Sequence, residues 1–350
     1  MTKHDRTLVI LSPGFPHSET DTNCLPLQQS LVKKIKENYP QWNIVVLSFQ
    51  YPYYTKEYQW YGITVMSFNG RNKGGLAKLL LRQRIYKTLS AIGQQQKITG
   101  ILSFWYGECA LVAKRFADKN NIPQYCWILG QDAKKENSYP GRTQPLPGEL
   151  IALSDFIQDE FEKNHSVRPA HVIPAGIEPS QFNAVTAAKD IDIIAAGSLL
   201  PLKRYEILIA VIAAIKKNRP AVTAVLIGDG PEKDKLQQMI TAAGLESNIL
   251  LTGQLPHPEV LQWMQRGKIF LHPSAYEGFG AVCIEALYAG CKVISFCKPM
   301  KAKINGWYIV SSTEAMQQKA IQLLQENTVY EPVSYLTMDM VAEKMMRLFE

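Results

Sequence analysis

HPSAYEGFGAVCIEALYAG, residues 272–290, follows the apolar run KIFL and carries two carboxylates eight positions apart, Glu277 and Glu285. One continuous helix would set them about two turns apart on nearly one face. Gly278 and Gly280 argue against helix in the first half. The stretch therefore predicts a strand ending at the histidine, a loop over 273–280, and a helix that carries Glu285 and stops at Gly290. The amides around Gly280, Ala281 and Val282 then face an anion without side-chain obstruction. Glycines that merely shape a turn would leave the two flanking carboxylates unexplained.

The same strand-to-helix alternation runs through the chain. TLVILS, NIVVLSF, GITVMSF, ITGILSF, PQYCWIL and LIALS read as strands in the first half, and IDIIAAGS, AVTAVLIGDG, NILLTG, KIFLHPS and CKVISF in the second. Amphipathic stretches such as CLPLQQSLVKKIKENY and ALVAKRFADKNN lie between them. Such alternation predicts α/β architecture with parallel sheets covered by helices on both faces. Eleven strands exceed one comfortable sheet, and PAGIEPSQFNAVTAAKD (174–190), polar and proline-bearing, is the place to divide them. The expectation is two doubly wound, Rossmann-like domains, 1–176 and 177–332, with ligands beyond the carboxyl ends of the strands, in a cleft between facing sheet ends.

Composition narrows the class. The 350 residues are 46% hydrophobic and 20% charged with formal net charge +7, ordinary globular material that favours anionic partners such as phosphates or a lipid surface. Six cysteines form no CxxC pair and no regular framework. TLVILS, stopped by Pro13 and Gly14, is too short for a membrane span or a secretory signal. Both features read as a cytoplasmic protein with reduced thiols.

Three further turns of the second half sit at strand ends. GSLLPLKRY (197–205) brings Lys203 close to a helix start, where a cation and backbone amides together hold a phosphate; alone, such a lysine is more often solvated. GDGPEKDKL (228–236) has proline at a helix start and reads as structural. LTGQLP (251–256) offers Gly253 for close backbone approach.

These residues resemble glycosyltransferase family 4, retaining glycosyltransferases of the GT-B fold. HPSxxEGFGxxxxEAxxxG is the most specific part of the resemblance. HVIPAGIEPSQF, GSLLPLKRY and LIGDGPEKDKL occur in the family's order, and SFWYGECALVAKRFADKNNIP followed by GQD resembles its first domain. The resemblance covers most of the chain, least over 50–95 and 296–335. It implies that a final helix within 333–350 packs back on the first domain. It further implies that Lys203 neutralises the diphosphate of a nucleotide diphosphate sugar, Glu285 accepts from the ribose hydroxyls, and Glu277 meets the sugar beside its anomeric carbon. The amides of Gly278, Phe279, Gly280, Ala281 and Val282 would line the donor, with Gly14 and Gly253 close by. Neither metal nor cofactor is implied. Asp190-Ile-Asp192 opens a strand and is not read as a metal site.

Departures from the family pattern bear on chemistry. Ser198 stands where arginine is usual, which removes one of two diphosphate cations, and Arg204 stands where glycine is usual and can partly replace it. Leu129-Gly130-Gln131-Asp132 aligns with a segment that begins with histidine; leucine carries no proton, and Asp132 remains as a catalytic candidate.

RNKGGLAKLLLRQRIYK (71–87) holds six basic side chains and no acid, with Leu76, Leu79, Leu80 and Ile85 at helical spacing. It reads either as a surface helix with that stripe in the core, or as an interfacial helix held to anionic lipid. No nucleic-acid module is present. The expected partners are a nucleotide diphosphate sugar and a glycan or lipid-linked acceptor, with peripheral contact to an anionic membrane on the second reading. A partner subunit that binds nucleotide sugar without turnover, or another GT-B enzyme such as an epimerase, are the alternatives.

Overall fold

The computed structural model describes residues 6–182, 188–326 and 328–350. The chain divides into two compact units, Met1–Ala175 with Met338–Glu350, and Gly176–Thr337. Part of the dividing segment expected at 174–190 lies outside the described residues.

The first unit is built on eight strands: β1 Arg6–Gly14, β2 Trp42–Tyr51, β3 Thr55–Trp60, β4 Ile63–Phe68, β5 Ile98–Phe104, β6 Gln124–Ile128, β7 Leu150–Ala152 and β8 His171–Val172. Their order is β3-β4-β2-β1-β5-β6-β7-β8, parallel throughout except where β3 runs antiparallel to β4. Val9 pairs with Val45 and with Ile101, so the central strands are apolar on both faces, as sheets covered on both sides require. The helix Met338–Met346 packs on the helix Pro26–Asn38, tied by Asn38 Nδ2 donating to Asp339 Oδ1 at 2.9 Å. Beyond it, Phe349 sets its ring edgewise against Trp42 and Tyr125.

The second unit holds β9 Ile191–Ala196, β10 Ala224–Ile227, β11 Ile249–Gly253, β12 Gly267–His272, β13 Lys292–Ser295 and β14 Trp307–Ile309, all parallel, in the order β11-β10-β9-β12-β13-β14. The chain winds outward from β9 in one direction and from β12 in the other. The gap between these two strands is the topological switch point, where open α/β sheets bind ligands. Ile193, Leu226, Ile269 and Leu271 pack against Leu208 and Ile212 of one helix and Met316 of another to form the core on one face.

Three strands escape the sequence reading: β3, β8 and β14. Each is an edge strand, and β3 (TKEYQW) exposes Thr55, Lys56 and Glu57 where an inner strand would be apolar. The leucine stripe of residues 71–87 is also corrected. In the helix Gly75–Gln95 the core face is Leu81, Ile85, Leu89 and Ile92, while Leu76, Leu79 and Leu80 are exposed.

Candidate active site

The loops that leave β9 and β12 meet at the switch point. After β9 the chain turns at Gly197, whose carbonyl oxygen would lie 2.0 Å from any Cβ on Gly228, so the turn after β10 must be glycine to let the loops close up. Leu199 then donates to the Asp229 carbonyl at 2.9 Å, and a single 3-10 turn, Pro201–Lys203, presents Lys203. From the other side, the Ala275 amide donates to the Leu202 carbonyl at 3.0 Å, which pins loop 273–280 onto that turn. This brings Lys203 Nζ onto Glu277 Oε1, two residues 74 positions apart. His272, the last residue of β12 and 1% exposed, sets Nε2 3.2 Å from the same oxygen, off the line of a regular hydrogen bond. Burial pushes the Glu277 carboxyl up, but His272 and Lys203 beside it outweigh that and hold it at about 2. Glu277 is therefore a carboxylate at any physiological pH.

Gly280 caps the next helix, Ala281–Tyr288, from the left-handed region at φ 77°, a conformation that glycine adopts without strain. Glu285 projects one turn into that helix, and Oε1 meets His257 Nε2 at 3.0 Å. Lys203, Ser198, Val282, Glu285 and His257 line a cavity of about 400 Å³, together with Gly197, Gly228 and Asp229, and with Gln254 and Leu255 beyond β11. That volume suits a small-molecule ligand. A larger cavity of about 520 Å³ lies beyond β13 and β14, lined by Lys298, Lys301, Lys303, Lys319 and Trp307, and contains neither glutamate.

Other expected site residues lie elsewhere. Phe279 is 1% exposed and packs its ring against Trp307 and Tyr335, so its side chain belongs to the core. Gly278 is buried in the loop, and Ala281 is half-buried at the helix start. Gly253 turns the chain at φ 77°, and no backbone atom crowds the place its Cβ would take, so conformation rather than close approach calls for glycine there. Arg204, at φ 53°, lays its guanidinium 5.5 Å from the Phe296 ring centre and does not line the cavity that Ser198 and Lys203 line. Its left-handed backbone is the physical reason a glycine would be at ease there. Asp190 is held by Arg266, and Asp192 by Arg219 and Lys268.

In the first unit, Gly14 closes β1. Asp132 is 9% exposed, and its carboxylate accepts from the amides of Tyr106 (2.8 Å), Gly130 (2.7 Å) and Leu129 (3.2 Å). Burial pushes this carboxyl above its ordinary range in spite of the three amides. A carboxylate so engaged organises its loop, and its oxygens are already committed, which argues against the catalytic role expected of it. Leu129 is buried beside it.

His257 and His272 are the residues that sequence reasoning missed. Burial lowers the affinity of His257 for a proton, but the hydrogen bond to Glu285 outweighs this and raises its pKa above the ordinary 6.5. A raised folded-state pKa means that the pair stabilises fully below the unfolded value and that the gain fades as pH rises through the folded value. His257→Gln is therefore expected to cost on the order of 1 kcal/mol near pH 6 and progressively less toward pH 9. Urea unfolding of both proteins across that range checks this; a pH-independent gap would contradict it.

Residues 177–333 match the family described as glycosyl transferases group 1. Over 134 residues the chain is 37% identical to the phosphatidylinositol N-acetylglucosaminyltransferase gpi3 subunit of Schizosaccharomyces pombe, a match covering 38% of this chain and 29% of that relative. Over 189 residues it is 28% identical to the UDP-N-acetylglucosamine–peptide N-acetylglucosaminyltransferase GtfA subunit of Streptococcus pneumoniae, covering 50% of this chain and 37% of that one. Among solved structures, Anabaena HepE in complex with UDP and glucose superposes with TM-score 0.66 at 18% identity, over 98% of this chain and 95% of that chain.

Proposed function

Since its second unit belongs to the glycosyl transferases group 1 family and the chain has the GT-B fold, we propose that this glycosyltransferase moves N-acetylglucosamine from UDP-N-acetylglucosamine to a hydroxyl of a glycan or lipid-linked glycan, with retention of configuration. The Lys203–Glu277–His272 cluster beside the Glu285 cavity is the observation that carries the reading. In it the diphosphate lies between Lys203 and the start of the Ala281–Tyr288 helix, Glu285 takes the ribose hydroxyls, and Glu277 faces the sugar. Charge growing on the leaving diphosphate meets the lysine and the helix dipole, so the reaction proceeds without a metal ion. The departing diphosphate takes the proton of the attacking hydroxyl on the same face. The choice of sugar and base follows the names of the N-acetylglucosaminyltransferase relatives. Six unpaired cysteines fit work on the cytoplasmic side.

A second reading, a binding subunit without turnover, is favoured by Leu129 and Ser198, where two polar groups of the family pattern are absent. Donor hydrolysis without acceptor separates the two. A transferase leaks donor to water, so slow UDP release from UDP-N-acetylglucosamine, well above release from GDP-mannose, is expected. Binding of the donor without any release would favour the subunit.

A further inference from the structure

The helix Gly75–Gln95 turns an unusual face outward. Leu76 is 78% exposed, Leu80 57% and Leu79 46%, although Leu81 and Ile85, one turn along, are buried. Residues 76, 80, 83, 84 and 87 share one side of a helix, so the leucines at its start continue into Gln83, Arg84 and Lys87, all exposed. Lys73 and Arg71 are exposed in the loop just before it, and Arg71 stacks on the exposed ring of Tyr53.

Charge on this face has one sign. Between Glu57 and Glu108 the chain has no acidic residue, whereas Arg71, Lys73, Lys78, Arg82, Arg84, Lys87 and Lys97 all fall there. Glu108, the next acid, is taken by Arg82 and Lys78 on the inner flank of the helix. The outward cations thus surround an apolar patch with no counter-charge of their own segment. A second copy of the chain would set like charges against like, and leucines offer nucleobases neither stacking nor hydrogen bonds. A surface both anionic and able to receive leucine matches the face in both respects. Among the described residues no helix is long and apolar enough to cross a membrane.

We propose that this face docks on an anionic lipid surface. Leu76, Leu79 and Leu80 enter the headgroup boundary, and Lys73, Arg84 and Lys87 lie against the lipid phosphates. The contact is independent of the reaction assigned to the second unit, and it places the chain where a lipid-linked acceptor resides.

Co-sedimentation of the full chain with vesicles tests it. Binding is expected to vesicles of phosphatidylcholine with about 30% phosphatidylglycerol at low salt, to fall steeply by about 0.5 M salt, and to be weak on phosphatidylcholine alone. Lys73→Glu with Lys87→Glu changes four charge units at roughly fivefold each, so partitioning should drop at least ~100-fold. Leu76→Gln with Leu80→Gln leaves the charge intact and should still cost at least ~tenfold. Lys119→Glu with Lys163→Glu carries the same charge change at exposed positions on two other helices of the same unit and should cost far less. No binding by the wild type, an equal loss in the control pair, or leucine variants that bind like the wild type would each overturn the proposal. Tm values of all variants are measured alongside, since every substituted side chain is exposed and none should unfold the chain.

Discussion

Lys203→Ala is expected to lower kcat by roughly a hundredfold or more, the scale for removing one preorganised electrostatic group from a transition state. The structure adds a second consequence. Lys203 is hydrogen-bonded to Glu277, whose carboxyl His272 and Lys203 hold at about 2, so on the proposed reading its removal also leaves that carboxylate facing the diphosphate without the lysine's charge. Donor KM should therefore rise as well, by about tenfold for one unscreened charge at close range. The double variant Lys203→Ala/Glu277→Gln removes the uncompensated carboxylate and should bring KM back toward wild type while kcat stays low. Non-additivity of this kind is the mark of residues in direct contact. Steady-state kinetics with varied UDP-N-acetylglucosamine measure both parameters; turnover within a few-fold of wild type in Lys203→Ala would show that the helix amides suffice.

The two glutamates should separate in opposite directions. Ribose changes little as the glycosidic bond breaks, so Glu285→Gln is expected to weaken ground state and transition state alike, raising donor KM by about tenfold with kcat mostly intact. In the proposed reaction Glu277 lies where positive charge develops on the sugar, so Glu277→Gln should lower kcat by about a hundredfold. Because that change also releases Lys203 from its partner, KM should stay level or fall. Reversed patterns would exchange the two roles.

What could be read in the sequence was local. The strand, glycine loop and helix of 267–290 are legible because Gly278 and Gly280 break helix periodicity and apolar residues resume it at once. Parallel sheets follow from strands without polar alternation. What could not be read was pairing across distance. Lys203 and Glu277 meet only because the Ala275 amide docks on Leu202, and His257 reaches Glu285 from a helix 28 residues away. Neither contact leaves a periodic trace. The Gly75–Gln95 helix leaves two readings open in the sequence for a related reason: Leu76, Leu79 and Leu80 and the set Leu81, Ile85, Leu89 and Ile92 both obey helical spacing, and only the packed structure selects the second set as core. Asp132 is a candidate in the sequence only as what remains of the family segment that begins with histidine; its three amide partners are backbone groups that no side-chain pattern announces.

The most direct test of the central claim is proton NMR of UDP-N-acetylglucosamine hydrolysed by the purified chain without acceptor, recorded faster than the free sugar mutarotates. A retaining glycosyltransferase releases the α-anomer first, with UDP accumulating in step, and Lys203→Ala should slow both signals together. Initial release of the β-anomer would contradict retention, and no release from a chain that binds the donor would contradict catalysis.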